Sequence, residues 1–473
     1  MSQTITIDPV TRLEGHGKIT IQLNDQGGVE DAHFHVTQVR GFERFSEGRP
    51  FYEMPSLMAR ICGICPVSHL IASAKACEAI MSVRIPHTAA QLRRMLNLAQ
   101  MVQSHALSFF YLASPDLLLG MESDPASRHI FGVVAAKPEL GRAGIALRRF
   151  GQHIIELLGN KRIHPGWVVP GGVTEPLAQA KRDEILAMIP EAYANVKMAI
   201  AAYKQIADSF QSEIKVFANF PSNFMSLINE DESIEFTDGA LRLIDASGGI
   251  LEDGITAAKF TEVIGEAVEP YSYTKFAYYK PLGYPEGSYR VGPLARLNIV
   301  KTMGTPLAET ELVEFRQMAE GPVQGSFHYH HARLIEILHG IERIEQILSD
   351  PLILDKHVRA VAGVNRLEGA GQAEAPRGTL NHHYKVDENG LITWANLVIA
   401  TGQNNNAMNR GVLQAAKHYV KDGRFTEGIL NRVEAVVRTF DPCLSCSTHA
   451  FGQMPLVISL VSADGEIVDQ AVR

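Results

Sequence analysis

Two Cys-x-x-Cys pairs at opposite ends of the chain constrain what it can fold into more than any other feature. Cys62-Gly63-Ile64-Cys65 lies near the start and Cys443-Leu444-Ser445-Cys446 near the end, with residues 65 and 443 separated by 378 positions. Each pair places two sulfurs close enough to serve one metal centre. Three readings fit such pairs. Zinc ribbons bring their pairs within about 15–20 residues, so of that class only a long-range four-cysteine zinc site remains. A thioredoxin-like redox pair needs a single pair in a βαβ setting. A thiolate-bound transition-metal centre needs both chain ends folded back onto one core site, and soft thiolates select such metals. Closing so long a loop is entropically unfavourable, so a shared site would have to organise the whole fold.

The remaining composition is that of an ordinary globular chain, with 473 residues, 46% apolar and 20% charged. This excludes a disordered chain, a collagen-like chain and a small disulfide scaffold. The 44 Lys and Arg against 52 Asp and Glu leave a formal charge of −8, which is not the basic footprint of a nucleic-acid binder. No uncharged apolar run approaches the ~18 residues of a membrane helix. Residues 1–8 have neither the basic nor the apolar region of a signal peptide. The five cysteines are sparse and odd in number, so a reducing, cytoplasmic setting is expected rather than a disulfide framework. The fifth, Cys77, lies in an apolar stretch and reads as a small buried hydrophobe.

Residues 4–38 alternate like strands: Ile5 and Ile7, then residues 18–23, then residues 29–39. The turn Asn24-Asp25-Gln26-Gly27-Gly28 predicts a hairpin between the last two. Helical recurrence follows at 67–82, 88–119, 138–158, 176–211, 328–348 and 406–421. Apolar residues 456–461, the turn Ala463-Asp464-Gly465 and residues 466–468 predict a terminal hairpin. There is no repeat, linker or low-complexity segment. The expected fold is mainly α with small β elements (α+β), a long-helix bundle with N-terminal and C-terminal β hairpins around a buried metal site. His328, His330 and His331 open a charged helix and read as packing residues. Gly166, Gly171 and Gly172 read as turn glycines. No Gly-Lys-Ser/Thr or G-x-G-x-x-G follows a strand, so no nucleotide site is expected in this chain.

The flanks of the cysteine pairs narrow the readings. They are Arg60-Ile61-Cys62-Gly63-Ile64-Cys65-Pro66-Val67-Ser68-His69 and Asp441-Pro442-Cys443-Leu444-Ser445-Cys446-Ser447-Thr448-His449. With Asp8-Pro9-Val10-Thr11-Arg12-Leu13-Glu14-Gly15-His16, Arg40-Gly41-Phe42-Glu43 and Ala375-Pro376-Arg377-Gly378, they make five motifs in order. Together they resemble the large, catalytic subunit of nickel–iron hydrogenases from residue 5 onward. Arg44-Phe45, Glu47-Gly48-Arg49-Pro50 and the run from Ser104 to Phe110 resemble the soluble, NAD(P)-linked type. Ala400-Thr401-Gly402-Gln403-Asn404-Asn405 departs from the Thr-Thr-Trp-Asn pattern of membrane-bound and periplasmic members, which also favours the soluble type.

The resemblance implies a nickel held by four thiolates and an iron carrying carbon monoxide and cyanide. Cys62 and Cys443 would be terminal nickel ligands, and Cys65 and Cys446 would bridge to iron. Glu14, otherwise a turn carboxylate, would carry the proton away from Cys443, a role that needs a group able to take and give a proton. His16 reads as a packed polar residue. Arg377 would lie over the metals, or else be a structural clamp. Asp116 resembles the family's buried partner of that Arg and is otherwise a helix cap, while Asp441 would join the same network. A buried guanidinium needs such carboxylates. His69, four residues after Cys65, would donate to the bridging sulfur or is a core histidine. Thr401 lies in the segment that faces the iron's diatomic ligands. Glu43 and His449 resemble magnesium ligands.

Residues 1–449 would form a single catalytic domain. Residues 450–473 would be a propeptide-like extension cut by a maturation protease just after His449, the attached tail leaving the second cysteine segment open for metal insertion. The implied activity is reversible heterolytic cleavage of dihydrogen. No iron–sulfur cluster or flavin is expected here, so electrons would leave through an iron–sulfur small subunit to flavin-containing diaphorase subunits and NAD(P). The alternatives are the same chemistry with a different electron acceptor, or a non-catalytic complex I-like or zinc-stabilised scaffold subunit. Neither nucleic acid nor a membrane span is expected.

Overall fold

A computed structural model describes residues 3–450, 457–464 and 466–472. The expected β positions Leu456 and Gly465 lie outside these described residues. The principal helices are α1 (Pro66–Met81), α2 (His87–Ala106), α3 (Pro138–Gly159), α4 (Gln179–Ala207), α5 (Tyr329–Ser349), α6 (Asn405–Tyr419) and α7 (Glu427–Thr439). Helices α2, α3, α4 and α5 pack against one another as the expected bundle. Residues 88–119 are not one regular helix. After α2 the backbone widens into a π-helical stretch, Leu107–Ala113, and then re-forms as Ser114–Leu119 with Pro115 in its first turn. The run Gln179–Val216 is long and apolar enough to cross a bilayer by length and composition alone. Here α4 packs on α3 and α5 through residues such as Ile185, Ile189, Val196 and Ile200.

The N-terminal strands β1 (Gln3–Ile7), β2 (Gly17–Leu23) and β3 (Val29–Val36) form a three-stranded antiparallel sheet. Ile5, Ile7, Ile19, Ile21, Leu23, Phe34 and Val36 point from it into the core. Two further sheets of three or more strands fall where the sequence predicted no strands. One has β4 (Asn223–Ile228), β5 (Ala240–Ile244), β6 (Ile250–Ile255) and β7 (Tyr289–Arg290) in the order β7-β4-β5-β6. The other is the meander β8 (Glu368–Ala375), β9 (Gly378–Val386) and β10 (Ile392–Val398).

Strand β8 matters most for the site, because it lies directly on α1. A Cβ at Gly369 would stand 2.3 Å from the Ala76 carbonyl oxygen, and one at Gly371 2.1 Å from that of Ala72. The two glycines bring strand and helix backbones together, and the strand then turns at Pro376-Arg377 above the first cysteine pair. The β8 sequence, Glu-Gly-Ala-Gly-Gln-Ala-Glu-Ala, holds no β-branched residue, which is why it carried no strand signal.

The terminal hairpin exists as β11 (Val457–Val461) paired antiparallel with β12 (Ile467–Val472). Its apolar side chains do not pack, since Ile458, Leu460, Ile467 and Val468 are all more than half exposed. The second cysteine segment is closed over the first while the chain still continues past His449.

Candidate metal centre

Cys62 follows a short 3-10 turn, and Cys65 is the N-cap of α1, with Pro66 in the first turn where its missing N–H is not needed. The N–H groups of Ile64 and Cys65 point back at the Cys62 sulfur at 3.2 and 3.4 Å. Helix α7 ends at Thr439, and the chain delivers Cys443 and Cys446 onto this turn. Cys62 and Cys443 Sγ are 3.4 Å apart, Cys65 and Cys446 3.5 Å, and Cys443 and Cys446 2.8 Å. All four sulfurs are buried and lie within 4.8 Å of one another. Hydrogen bonds from Cys443, Cys446 and Cys65 pull the Cys62 thiol well below its ordinary range, whereas burial pushes Cys443 and Cys446 well above theirs. Four thiolates cannot share so small a dry volume without a cation, so this donor set suits a thiophilic metal centre.

Glu14 meets the second pair edge-on. Its Oε2 accepts from Cys443 Sγ at 3.2 Å and from the Ser445 N–H at 3.0 Å, and its carbonyl accepts from the Leu444 N–H at 3.0 Å. Gly15, at φ +93°, makes the approach possible, because a Cβ there would stand 2.6 Å from Leu444 Cβ. The Thr401 hydroxyl accepts from the Cys443 N–H at 3.0 Å. Arg377 is buried beside the thiols, and Asp441 answers it twice. Arg377 Nε donates to the Asp441 carbonyl at 2.7 Å and Nη2 to its carboxylate at 3.0 Å. Burial raises the Asp441 carboxyl above its usual range despite the Arg377 and Arg333 charges, while Asp441 and the neighbouring thiols drive Arg377 well upward against burial.

Three expected contacts are different in the structure. Asp116 is not bonded to Arg377. It pairs with Arg12 at 2.6 Å and Arg438 at 3.3 Å, and accepts from Asn431 at 2.9 Å. Position along the chain cannot tell which buried guanidinium reaches a carboxylate, and Arg12 reaches this one first. His69 is buried, but its described hydrogen bond runs from Nδ1 to His382 Nε2 at 3.2 Å and not to the Cys65 sulfur. Burial holds its imidazole down to about 4. His16 is exposed, not packed.

Glu43 and His449 are adjacent, as expected. Glu43 Oε1 accepts from His449 Nδ1 at 3.1 Å and from the Leu397 N–H at 2.8 Å. Burial works against the Glu43 charge, but His449 and Lys275 outweigh it and lower the carboxyl. His328, His330 and His331 join no metal-binding group among the described residues. His330 meets Phe109 and Phe327 edge-on, and His331 stacks on Tyr203. Cys77 is buried, and its thiol donates to the Phe51 carbonyl at 3.1 Å.

Sequence reasoning missed a buried layer behind Arg377. Arg377 Nη1 also donates to Ser104 Oγ at 3.2 Å. Arg296 is gripped by Glu336 at 2.6 Å and Glu374 at 2.5 Å, and donates to the Ala375 and Pro376 carbonyls at 3.2 and 3.3 Å. It therefore holds the peptide just before Arg377. The one sequence signal was Glu374, three residues before Arg377.

Comparison with known proteins agrees with this geometry. A family profile described as nickel-dependent hydrogenase matches residues 40–125 and 144–449, and one described as HoxL-like matches residues 4–39. The NAD-reducing hydrogenase HoxS subunit beta of Cupriavidus necator is 41% identical, with all of both chains covered. The vhc F420-non-reducing hydrogenase of Methanococcus voltae has one chain that is 40% identical over 98% of each sequence. A solved NAD+-reducing NiFe hydrogenase in the H2-reduced state superposes with a TM-score of 0.92 at 44% identity, covering 94% of this chain and 99% of that one.

Proposed function

Since this chain belongs to the nickel-dependent hydrogenase family, as its large catalytic subunit, we propose that it divides dihydrogen reversibly and exchanges the electrons with NAD(P) through partner subunits. The carrying observation is four buried thiols, drawn from both chain ends into a 4.8 Å cluster, with a carboxylate on one of them. Full-length 41% identity to an NAD-reducing hydrogenase chain supports the choice of acceptor. A different acceptor is the second reading, favoured by 40% identity to a chain of an F420-non-reducing hydrogenase. The complete cysteine set speaks against a non-catalytic complex I-like role.

Cys62, Cys65, Cys443 and Cys446 would hold nickel and iron. The bound metal pair supplies redox-active Lewis acids that polarise dihydrogen. The chain's own residues do the rest. Cys443 Sγ holds a proton, and Glu14 Oε2, at 3.2 Å, takes it toward solvent. Arg377, fixed by Asp441 and Ser104, keeps a positive charge against the thiols and shapes the dry face where dihydrogen arrives. Thr401 fixes the Cys443 backbone, and it and the packed His69 would line the space for carbon monoxide and cyanide on iron. Glu43 and His449 would share a magnesium ion with water completing its shell, beside a small cavity that Glu266 and Lys275 also line.

The proposed partners are an iron–sulfur small subunit, flavin-containing diaphorase subunits and a maturation protease, all in the cytoplasm. Residues 1–449 would be the mature catalytic domain. In support, the family profile stops at residue 449, and the solved NAD+-reducing relative is covered to 99% by only 94% of this chain.

The deciding experiment is purification of the native complex with metal and flavin counts, followed by hydrogen-dependent reduction of NAD and NADP. Nickel, iron and flavin with nicotinamide reduction are expected. Zinc as the sole metal would sink the catalytic reading, and hydrogen oxidation with no nicotinamide reduction would select the other acceptor class.

A further inference from the structure

Glu14 works only if its carboxylate stays on the Cys443 sulfur, yet it sits in an irregular turn and not in a helix or strand. Arg12 and Gly15 on either side of it have φ of +54° and +93°. A non-glycine residue holds such a conformation only when its surroundings impose it.

Partly buried polar contacts from two parts of the chain impose it here. Arg12 Nη1 donates to the Leu112 carbonyl at 2.9 Å, and Nη2 donates to Asp116 at 2.6 Å and to Asn431 Oδ1 at 3.0 Å. Leu112 lies in the last turn of the π-helical stretch, Asp116 in the helical segment that continues it, and Asn431 on α7, so the guanidinium is pinned between these two parts of the chain. The preceding residue is held as well, since the Thr11 N–H and hydroxyl donate to Glu434 at 3.0 and 2.7 Å. Asp116 is the shared centre, with Arg12, Arg438 and Arg128 at 2.6, 3.3 and 3.6 Å. Glu434 pairs with Arg438 and Glu427 with Arg128, so the three cations and three carboxylates balance. The same helix α7 continues into the loop that carries Cys443. One ion-paired block therefore sets both ends of the Glu14–Cys443 contact.

We propose that Asp116 and Arg12 are positioning residues for proton exit: through the Arg12 guanidinium, Asp116 fixes the turn that keeps the Glu14 carboxylate on the Cys443 sulfur. This inference rests on Glu14 being the proton exit. Proton transfer depends steeply on distance, so a small drift of the turn slows that step while leaving the thiol ligands where they are.

The test uses the assembled enzyme. Arg12→Gln removes the fork and charge but leaves Asp116 two cations, so the block survives. Turnover should fall by at least about tenfold, with nickel and iron contents unchanged. The slowdown in deuterium oxide should become larger than in wild type, because proton transfer now limits the rate. A purely structural loss would lower the amount of active enzyme without altering that isotope effect. A crystal structure of the variant should show Glu14 beyond hydrogen-bond distance of Cys443. Arg12→Lys, which keeps the charge toward Asp116, should recover part of the rate. Asp116→Asn leaves three guanidiniums without their shared carboxylate and can fail to fold, so Arg12→Gln decides. Wild-type turnover and isotope effect in Arg12→Gln, with Glu14→Gln inactive, overturn this inference alone. Wild-type turnover in Glu14→Gln instead overturns the reading on which it rests.

Discussion

Glu14 and Cys443, 429 positions apart in the chain, meet as carboxylate and thiol at 3.2 Å. The contact is reinforced by a parallel bridge between their backbones. The two partners come from a turn after β1 and a loop after α7, so the contact joins the two ends of the chain.

Glu14→Gln keeps the shape of this contact and removes the group that titrates. Turnover should stop, with nickel and iron retained, and Glu14→Asp should keep a little activity. Steady-state hydrogen oxidation with metal analysis is the check, and wild-type turnover in Glu14→Gln places the proton exit elsewhere.

Replacing Cys62, Cys65, Cys443 or Cys446 by Ser should abolish both activity and nickel retention, since the four sulfurs form one cluster. Cys77→Ala should keep both, because Cys77 is outside the cluster. Nickel content per chain separates the two classes. Full activity with any of the four replaced contradicts the ligand assignment.

Arg377→Lys keeps the charge but loses the fork that reaches Asp441 twice and Ser104 once. A loss of at least ~10²-fold in turnover is expected, about 2.7 kcal/mol in the barrier, with metal contents unchanged. Near-normal turnover would show that Arg377 only clamps the fold.

Active enzyme should end at His449. Intact mass spectrometry of the active, nickel-containing fraction reads this directly, and a full-length mass there would falsify the processing claim.

Acid should destabilise the fold before carboxylates titrate. Burial holds His328 and His339 down to about 4 and His330 to about 3, against an ordinary 6.5. A histidine depressed on folding contributes stability above the unfolded value and loses it as pH falls toward the folded value. The loss therefore runs from pH 6.5 down to about 4, and at pH 5 each such histidine forfeits roughly 2 kcal/mol. Thermal melts at pH 7 and pH 5 should show the drop, and His330→Phe should lessen it. An equal or larger drop in His330→Phe rules out the assignment for that residue.

The sequence by itself determined the chemistry. Two Cys-x-x-Cys pairs so far apart imply one shared site, and the five flanking motifs carried the family. The helices were legible too, because a 3.6-residue apolar period survives in α1 through α6 regardless of what packs on them. Tertiary structure decided who touches whom. Strand β8 was invisible because its strand character comes from lying on α1, through Gly369 and Gly371, and not from its own side chains. Asp116 looked like a partner for Arg377 and became one for Arg12 instead, because an ion pair is chosen by distance in three dimensions and a chain position fixes no such distance. The Arg296–Glu336–Glu374 layer was missed for the same reason, since its three members come from three separate elements. Motifs report which groups a site needs, whereas packing reports which of them can reach each other.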